Sequence, residues 1–250
     1  MQSQQEGTII LKAGREKPVR NRHPWIFSRA IERAQGAVDG ETVRVLSHQG
    51  DFLARGYWNH HSQIQVRFLT WQDEVIDNTW WTNTLRRAVQ SRRARLKLGS
   101  AFRLVNAEND YAPGLIVDRY SDFLVLQALT LYIDRQKNAL TEILVKLCQE
   151  MGIAVRGVYE RSDVDVRQRE GLREVKGLLW GEAPPERMAF EYAGVVHFVD
   201  VYRGQKTGYY LDQLENHALI WNLCHHSERK AHPLQFGVRP RVHLRCAVRI

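Results

Sequence analysis

The fold of the N-terminal part is decided by residues 42–69, which read TVRVLSHQGDFLARGYWNHHSQIQVRFL. Three segments of this stretch, residues 42–46, 51–58 and 63–69, alternate apolar with polar side chains, as half-buried strands do. Gln49-Gly50-Asp51 is a turn between the first two segments. With a further strand at Thr8–Leu11, strands of this length and spacing favour a small closed barrel. We therefore predict a β-barrel domain over residues 1–73.

The composition limits the classes of partner and the cellular compartment. The 250 residues carry a formal net charge of +8, which favours a polyanion, with nucleic acid ahead of an anionic membrane surface. No apolar run approaches the roughly 18 residues of a membrane span, and the first residues do not resemble a signal peptide. Three cysteines, an odd number in no metal-ligand spacing, indicate a reducing compartment. We expect a cytoplasmic protein with no membrane or metal partner.

A basic segment precedes the barrel strands, at residues 12–28, and reads KAGREKPVRNRHPWIFS. Its aromatic and apolar residues, Trp25, Ile26 and Phe27, are predicted to close the barrel core, because such side chains are mostly buried. Its cations are suited to phosphate contacts, and a histidine beside them can stack on or hydrogen-bond to RNA. The two interpretations are compatible. The candidate RNA-binding residues here are Lys12, Arg15, Lys17, Arg20, Arg22 and His23.

A second cationic stretch lies after a polar break at residues 73–78, where a mixed α/β middle domain (residues 74–200) is predicted to begin. Residues 80–98 are predicted to form one helix that ends at Gly99-Ser100, with arginines and a lysine around it. These cations are either a solvated surface or a stripe that contacts RNA phosphates. The candidate RNA-binding residues of this helix are Arg86, Arg92 and Arg93.

Further segments predict the rest of the middle domain. Strands are expected at residues 102–106, 114–120, 123–128 and 157–160, a helix at 135–151, and a hairpin formed by 188–192 and 195–200. Ser162 is predicted to cap a helix, with Asp163 and Asp165 in its first turn. His197 alternates onto one face of the hairpin, where a structural histidine is favoured over a catalytic one.

The most chemically varied run is residues 203–213, RGQKTGYYLDQ. Its two glycines permit a tight turn that could present backbone N–H groups to a ligand. A P-loop is excluded, because the lysine precedes the second glycine instead of following it. On spacing alone, an ordinary glycine-rich turn remains the competing interpretation.

Several of these motifs together resemble the bacterial 23S rRNA (cytosine-5) methyltransferase family. The similarity rests on residues 11–17 and 20–28, on residues 108–120 (ENDYAPGLIVDRY), and on Lys-Thr-Gly-x-Tyr-x-Asp-Gln at residues 206–213. Members of that family have an N-terminal PUA domain, a small pseudo-barrel that binds structured RNA. In that family the acidic turn at Glu108 and Asp110 precedes a strand, and turn acids more often orient a loop than act in catalysis.

The resemblance implies an α+β fold with three parts. These are a PUA-like β pseudo-barrel, a mixed α/β middle domain, and the start of a Rossmann-like methyltransferase domain at residues 201–224. In the family the run at 203–213 leads into the domain that binds S-adenosylmethionine. The residues expected near substrate or cofactor are therefore Lys206, Thr207, Gly208, Tyr209, Asp212 and Gln213.

The residues after 224 do not continue this pattern. A Rossmann-like site needs a buried strand, a glycine turn and an acid after the next strand, and residues 225–250 contain arginines and prolines instead. We therefore expect a poorly ordered tail, a chain truncated before the cofactor domain, no bound S-adenosylmethionine and no catalytic residue. Cys224 and Cys246 are interpreted as incidental thiols.

Two functions remain open from the sequence. The first is the RNA-binding portion of an S-adenosylmethionine-dependent rRNA cytosine-5 methyltransferase, unable to methylate alone. The alternative is a stand-alone PUA-type RNA-binding protein with no enzymatic role. In both, the expected partner is RNA, which is 23S rRNA by resemblance, and the family also implies a homodimer.

Overall fold

A computed structural model describes residues 6–226, in which residues 225 and 226 of the predicted tail end a helix; the predictions for residues 227–250, for Cys246 and for the side chain of Cys224 lie outside what it describes. The first part is a six-stranded curled sheet with strand order β2-β6-β5-β4-β1-β3, in which only β1 and β4 pair in parallel. Its strands are β1 (Gly7–Leu11), β2 (Trp25–Phe27), β3 (Ile31–Gln35), β4 (Thr42–Leu46), β5 (Phe52–Trp58) and β6 (Ile64–Thr70), and a short helix α1 (Lys17–Arg20) follows β1.

The alternating segments at residues 42–69 form strands as predicted, because their apolar side chains point into one core. Val43 and Val45 of β4 are fully buried and lie in the cluster that fills the barrel. The prediction for β2 is only partly correct, since Ile26 is buried whereas Phe27 is 48% exposed and Trp25 is partly exposed. Side chains alternate across a strand, so three consecutive residues cannot all face one core.

The second part is a five-stranded sheet with strand order β11-β10-β9-β8-β7. Only β9 and β10 pair in parallel, and helix α3 connects them. The elements are α2 (Asn78–Ser91), β7 (Ala101–Asn106), β8 (Leu115–Tyr120), β9 (Phe123–Ala128), α3 (Leu131–Glu150), β10 (Gly157–Ser162) and β11 (Val175–Gly181).

Both faces of this sheet are covered, which explains the continuous apolar run of β9. Leu124 and Leu126 belong to the core under helices α2 and α3, whereas Phe123 and Val125 belong to a separate core on the opposite face. That second face is covered by the hairpin of β12 (Met188–Tyr192) and β13 (Val195–Val199), and by the start of helix α4 (Leu214–His226). The predicted hairpin is confirmed, with positive φ at both Ala193 and Gly194.

Several predicted boundaries are wrong, including the start of α3, which is Leu131 instead of residue 135. The helix expected at residues 80–98 ends at Ser91, and a separate 3-10 helix spans Arg95–Lys97. The side chain of Arg92 explains the end, because it donates to the Arg103 carbonyl and to Asp110. Ser162 ends strand β10 instead of capping a helix, and its hydroxyl accepts from the Ala128 backbone N–H at 2.9 Å.

The barrel is joined to the five-stranded sheet by a buried contact. Tyr57 of β5 stacks on Tyr132 of α3 with ring centroids 4.7 Å apart, and its hydroxyl lies 3.0 Å from the Pro113 carbonyl and 3.1 Å from Thr130 Oγ1. Tyr57 and Leu69 are part of the core that lies under α2 and α3. None of the helices between residues 6 and 226 has the length and apolar character of a bilayer-crossing segment.

Candidate nucleic-acid interface

The basic segment, residues 12–22, lies on the surface of the barrel. Its single buried side chain is Val19 of α1, and the Val19 carbonyl accepts from the Trp71 indole N–H at 2.9 Å. Around this anchor the predicted cations are all exposed, and within residues 6–226 none of them forms an ion pair. They are Lys12, Arg15, Lys17, Arg20 and Arg22. Unpaired cations on one surface are the arrangement that phosphate binding requires.

Three aromatic rings continue this surface along β2. His23, Trp25 and Phe27 have ring centroids 5.9 to 6.5 Å apart, and His23 and Phe27 are exposed. The three rings therefore form an exposed cluster next to the cations rather than a cap over the barrel core. Aromatic faces beside cations are typical of surfaces that bind single-stranded nucleic acid.

The acidic turn before β8 is structural, in agreement with the sequence interpretation. Glu108 accepts from the Trp25 indole N–H at 2.8 Å and lies 3.6 Å from Arg67. Asp110 accepts from Arg92 and from the Asn106 backbone N–H. The turn is thereby fixed to the barrel on one side and to the end of α2 on the other.

The three predicted RNA-binding arginines of the second cationic stretch have different environments. Arg86 pairs with Glu150 of α3 at 2.6 Å, and both side chains are more than a third exposed. Arg92 pairs with Asp110 at 2.5 Å, and this pair is mostly buried. Arg93 is exposed, and in the described part of the chain it has no ion pair. Only Arg93 thus keeps an uncompensated charge for a phosphate, and Arg92 belongs to the scaffold.

The loop at residues 203–213 uses much of its polar chemistry inside the protein. Thr207 is fully buried, and its hydroxyl donates to the buried carboxylate of Asp118 at 2.6 Å. Asp118 also accepts two hydrogen bonds from Arg103, at 2.8 and 3.0 Å, and these raise the pKa of Arg103. Tyr120 contacts the same Thr207 hydroxyl at 2.9 Å, so the threonine side chain is hydrogen-bonded within the protein on both sides.

Tyr209 is the second buried anchor of this loop. Its hydroxyl lies 3.1 Å from His197 Nδ1 and 2.9 Å from His217 Nδ1, so it bridges β13 and α4. Burial raises the pKa of Tyr209 to about 12. Burial, together with the neighbouring His217, lowers the pKa of His197 to about 4, and burial also lowers the pKa of His217. The histidines are therefore neutral at pH 7, and His197 is a core residue, although its Nε2 has no hydrogen-bond partner.

The glycines of this loop close it on itself. A Cβ on Gly204 would lie 2.4 Å from the carbonyl oxygens of both Asp200 and Gly208, so only glycine fits there. The N–H of Gly204 donates to Asp200 and the N–H of Gly208 donates to Gln205, both at 2.9 Å. These two N–H groups are therefore not directed at a ligand, contrary to the expectation from the sequence.

Three predicted residues of the loop remain at the surface. Lys206 is exposed, lies 3.7 Å from Asp212, and places its ammonium group 4.5 Å from the centroid of the Tyr210 ring. Asp212 and Gln213 are also exposed. Of the predicted site residues in this loop, only Lys206, Asp212 and Gln213 are exposed at the surface.

One cluster was not predicted from the sequence. Asp39, His60 and His61 bring possible metal-ligand atoms within 4.8 Å of one another at the edge of the barrel. His60 Nδ1 is already paired with the Asp39 carboxylate, and both histidines are exposed. The adjacent histidines were visible in the sequence, but the contact with Asp39 depends on the fold.

Comparisons with known proteins identify the class of the fold. A PUA-like domain family matches residues 9–71, which cover most of the six-stranded sheet. Solved structures with a similar fold include a predicted SAM-dependent methyltransferase from Streptococcus mutans, with a TM-score of 0.68 and 19% identity. Another is a methyltransferase complexed with SAH, with a TM-score of 0.70 and 19% identity. The similarity covers 86% of this chain in both cases, and 54% and 53% of those chains.

Curated relatives are closer in sequence. The chain is 44% identical over 214 residues to the Ribosomal RNA large subunit methyltransferase I of Aeromonas hydrophila. This match covers 84% of the chain and 53% of the relative. The chain therefore spans about half the length of the curated relatives that it matches.

Proposed function

We propose that this chain binds large-subunit rRNA and derives from the SAM-dependent rRNA cytosine-5 methyltransferases. The observation that carries the proposal is the exposed basic segment, whose five cations lack ion pairs within the described chain and adjoin His23 and Phe27. It lies on a PUA-like domain, and the relatives at 44% identity are named for methylation of large-subunit rRNA. A cytoplasmic location, and a homodimer of the kind implied by the family, complete the proposal.

The cations have distinct roles in this proposal. Lys12, Arg15, Lys17, Arg20 and Arg22 contact phosphates and so fix the position of the RNA, while His23 stacks on or hydrogen-bonds to a base. Arg93 adds a phosphate contact from the end of α2. Arg86 can contribute only by exchanging its exposed partner Glu150 for a phosphate.

The methyl donor of this enzyme class is S-adenosylmethionine, and we propose that residues 6–226 alone do not hold it. The β9–α3–β10 unit is the one parallel crossover of a sheet that is otherwise antiparallel, so the N-terminus of α3 is the position to compare with a Rossmann-like site, although the Rossmann rule concerns mostly parallel sheets. Thr130 occupies this position and accepts a hydrogen bond from Tyr57, while Arg167 donates to the Ala128 carbonyl and to Asp134. The described residues thus fill that position with the contact between barrel and sheet.

Catalytic chemistry is likewise not assigned to the described residues. Cys148 is buried in the core, and burial raises its pKa to about 11, so its thiol is a poor nucleophile. We propose that residues 6–226 hold RNA and that this part alone does not methylate it. Lys206, Asp212 and Gln213 are the residues of this part that we place nearest to substrate or cofactor.

RNA binding is tested by removing the cations of the basic segment. The triple variant Arg15→Ala/Arg20→Ala/Arg22→Ala should bind a 23S rRNA fragment at least roughly tenfold more weakly at low salt. The slope of log affinity against log salt should also fall by about 2 to 3, because each lost phosphate contact removes roughly 0.7 to 0.9. Fluorescence anisotropy between 50 and 200 mM salt, the range over which such contacts act, measures both quantities.

A matched control separates this surface from overall charge. Lys146→Ala/Arg169→Ala/Arg173→Ala removes three exposed cations away from the basic segment and changes the net charge equally. It should retain most of the affinity and nearly the wild-type slope. Equal loss of affinity in the two triple variants would show that only the net charge matters.

The alternative, a stand-alone PUA-type RNA-binding protein, is favoured by the filled position at the start of α3. Isothermal titration calorimetry of the full chain with S-adenosylmethionine measures whether the chain alone binds the methyl donor. Our proposal expects no micromolar binding and no methyl transfer to the rRNA fragment. Micromolar binding would refute the proposal that this chain alone does not hold S-adenosylmethionine. Transfer of a methyl group to RNA would exclude the stand-alone RNA-binding protein.

A further inference from the structure

We infer that a groove between the barrel and helix α2 takes one unpaired nucleobase from the bound RNA; this inference rests on the proposed RNA binding. The groove has a volume of about 310 Å³, at the lower end of the roughly 300–1,000 Å³ typical of small-molecule pockets. Its chemically distinctive lining residues are Arg22, Trp71, Glu74, Asn83, Arg87 and Tyr111.

One wall is formed by the end of the basic segment. The Val19 carbonyl accepts from both the Arg22 backbone N–H and the Trp71 indole N–H, each at 2.9 Å. Arg22 then places its guanidinium 5.7 Å from the centroid of the Trp71 ring. A guanidinium plane supported by an indole is a flat cationic surface on which a base can stack.

A second wall of the groove is formed by Tyr111, which follows the acidic turn. Its ring is 46% exposed although the residues after it, from Ala112 to Leu115, are buried. Asp110 and Glu108 fix the turn to α2 and to the barrel, as described above, so the position of the ring is set by two other elements. An exposed aromatic on a fixed turn is suited to stacking rather than to the protein core.

Backbone strain marks both walls. Arg22 has φ +60° and Tyr111 has φ +56°, a left-handed conformation that costs non-glycine residues of order 1 kcal/mol or more. They are two of the six non-glycine residues with positive φ among those described. Two strained residues that face one groove are consistent with a ligand site, where strain often persists because it positions a side chain.

The charges of the groove favour a nucleotide. Glu74 accepts hydrogen bonds from the Thr70 hydroxyl at 2.6 Å and the Trp80 indole at 3.0 Å, so its carboxylate is engaged with the floor. Arg22 and Arg87 are exposed cations at the rim, and Asn83 adds an exposed amide. Together these groups can bind a phosphate, stack on a base and contact one base edge.

The groove is also continuous with the basic segment, because Arg22 belongs to both. A bulged nucleotide can therefore enter the groove while the flanking phosphates remain on Lys12 to Arg20. This continuity favours an unpaired base within RNA over a free nucleotide.

The experiment uses the full chain and two RNA hairpins that differ in one position. One hairpin carries a bulged 2-aminopurine, and the other carries it paired within the stem. We expect the bulged hairpin to bind about tenfold more tightly, with quenched 2-aminopurine fluorescence, because stacking of one base contributes that order of affinity. The paired hairpin should bind without added quenching.

Two variants should remove this preference without removing RNA binding. Tyr111→Asn deletes the ring and suits the left-handed backbone. Arg22→Lys keeps the charge but loses the flat guanidinium. Both should bind the two hairpins nearly equally. For Tyr111→Asn, unchanged affinity for the paired hairpin serves as the control for folding, whereas the folding of Arg22→Lys, a variant of the basic segment, is checked by its thermal unfolding. Phe198→Ala, which removes an exposed aromatic of the β12–β13 hairpin, should retain the tenfold preference.

The outcomes distinguish this inference from the proposal on which it rests. Equal binding of both hairpins by the wild-type chain, with no quenching, would overturn the base site and leave RNA binding intact. A preference that persists in Tyr111→Asn would also overturn it. Comparable quenching of free 2-aminopurine riboside monophosphate would assign the groove to free nucleotides and contradict the inference. Failure to bind either hairpin would overturn both proposals.

Discussion

The basic segment at residues 12–22, taken with the aromatic cluster of His23, Trp25 and Phe27 that follows it, and the loop at residues 203–213 have similar compositions and opposite environments. Both contain glycine, cations and aromatic rings. In the first, every cation is exposed and unpaired within the described chain; in the second, Thr207 and Tyr209 are buried and Lys206 lies beside Asp212. A run of polar and aromatic residues therefore indicates a ligand site only when no part of the fold needs those groups.

The difference arises from what lies beneath each segment. The basic segment connects two barrel strands and is anchored by one buried side chain between them, Val19. The loop instead crosses the covered face of the five-stranded sheet, where Asp118 and Tyr120 of β8 present buried polar groups. Such groups need hydrogen-bond partners, and Thr207 supplies one.

The largest expected effect is the loss of the buried carboxylate under the loop. Asp118→Asn leaves Arg103 without its counter-charge and should lower the free energy of unfolding by about 3 kcal/mol. Urea denaturation measures this change. RNA affinity of the remaining folded protein should be unaffected, because the basic segment is not altered.

The control for this variant is Asp212→Asn, which removes an exposed carboxylate of the same loop. Its free energy of unfolding should be indistinguishable from that of the wild type. If the two variants were equally stable, the loop would not depend on the buried network, and the contrast between the two segments would fail.

A second effect concerns pH. The folded state holds His197 neutral with a pKa of about 4, whereas the unfolded state titrates near its usual value of about 6.5. Below pH 6.5 the unfolded state takes up a proton that the folded state does not, so stability is fully present above pH 6.5 and decreases as the pH falls toward 4. As the pH falls from 6.5 to 4.5, this histidine should lower the free energy of unfolding by about 2 kcal/mol.

The pH effect is measured by comparing unfolding of the wild type and His197→Phe across that range. In the variant, the decrease in the free energy of unfolding at low pH should be much smaller. His217, whose pKa is also lowered by burial, should account for the part of the decrease that remains. Identical pH profiles would mean that His197 is protonated in the folded state.

The smallest expected effect distinguishes two adjacent arginines. Arg92→Ala removes the partly exposed partner of Asp110 and should lower the free energy of unfolding by about 1.5 kcal/mol, the contribution of a hydrogen bond to a charged group. Arg93→Ala should leave stability unchanged and reduce RNA affinity and its salt dependence by one phosphate contact. Thermal unfolding measures stability and fluorescence anisotropy measures RNA affinity. If Arg92→Ala lowered RNA affinity and Arg93→Ala lowered stability, the roles assigned to the two arginines would be wrong.

Much of the fold was predictable from local patterns. The alternating residues 42–69, the apolar β9 and the hairpin at Ala193-Gly194 all follow from periodicity and turn chemistry. The end of α2 was not predictable from local patterns, because it depends on the contact between Arg92 and Asp110, which lies 18 residues further along the chain. Helix boundaries set by such contacts are not encoded in the helix itself.

The candidate site was predictable only in part, for the same reason. The cations of the basic segment are exposed as the sequence suggested, whereas the buried roles of Thr207 and Tyr209 depend on Asp118 and Tyr120, almost ninety residues earlier. The groove could not be predicted, because Arg22, Trp71 and Tyr111 come from three separate segments. No local motif contains all three.

The stacked pair Tyr57 and Tyr132 has a consequence for how an RNA would be selected. Since these rings and Leu69 place part of the barrel inside the core of the sheet, the barrel cannot swivel independently. The fold then fixes the distance and angle between the cations of the barrel and Arg93. An RNA that contacts both must have the matching curvature or be bent into it. The protein would therefore select an RNA by its three-dimensional shape before it contacts any base.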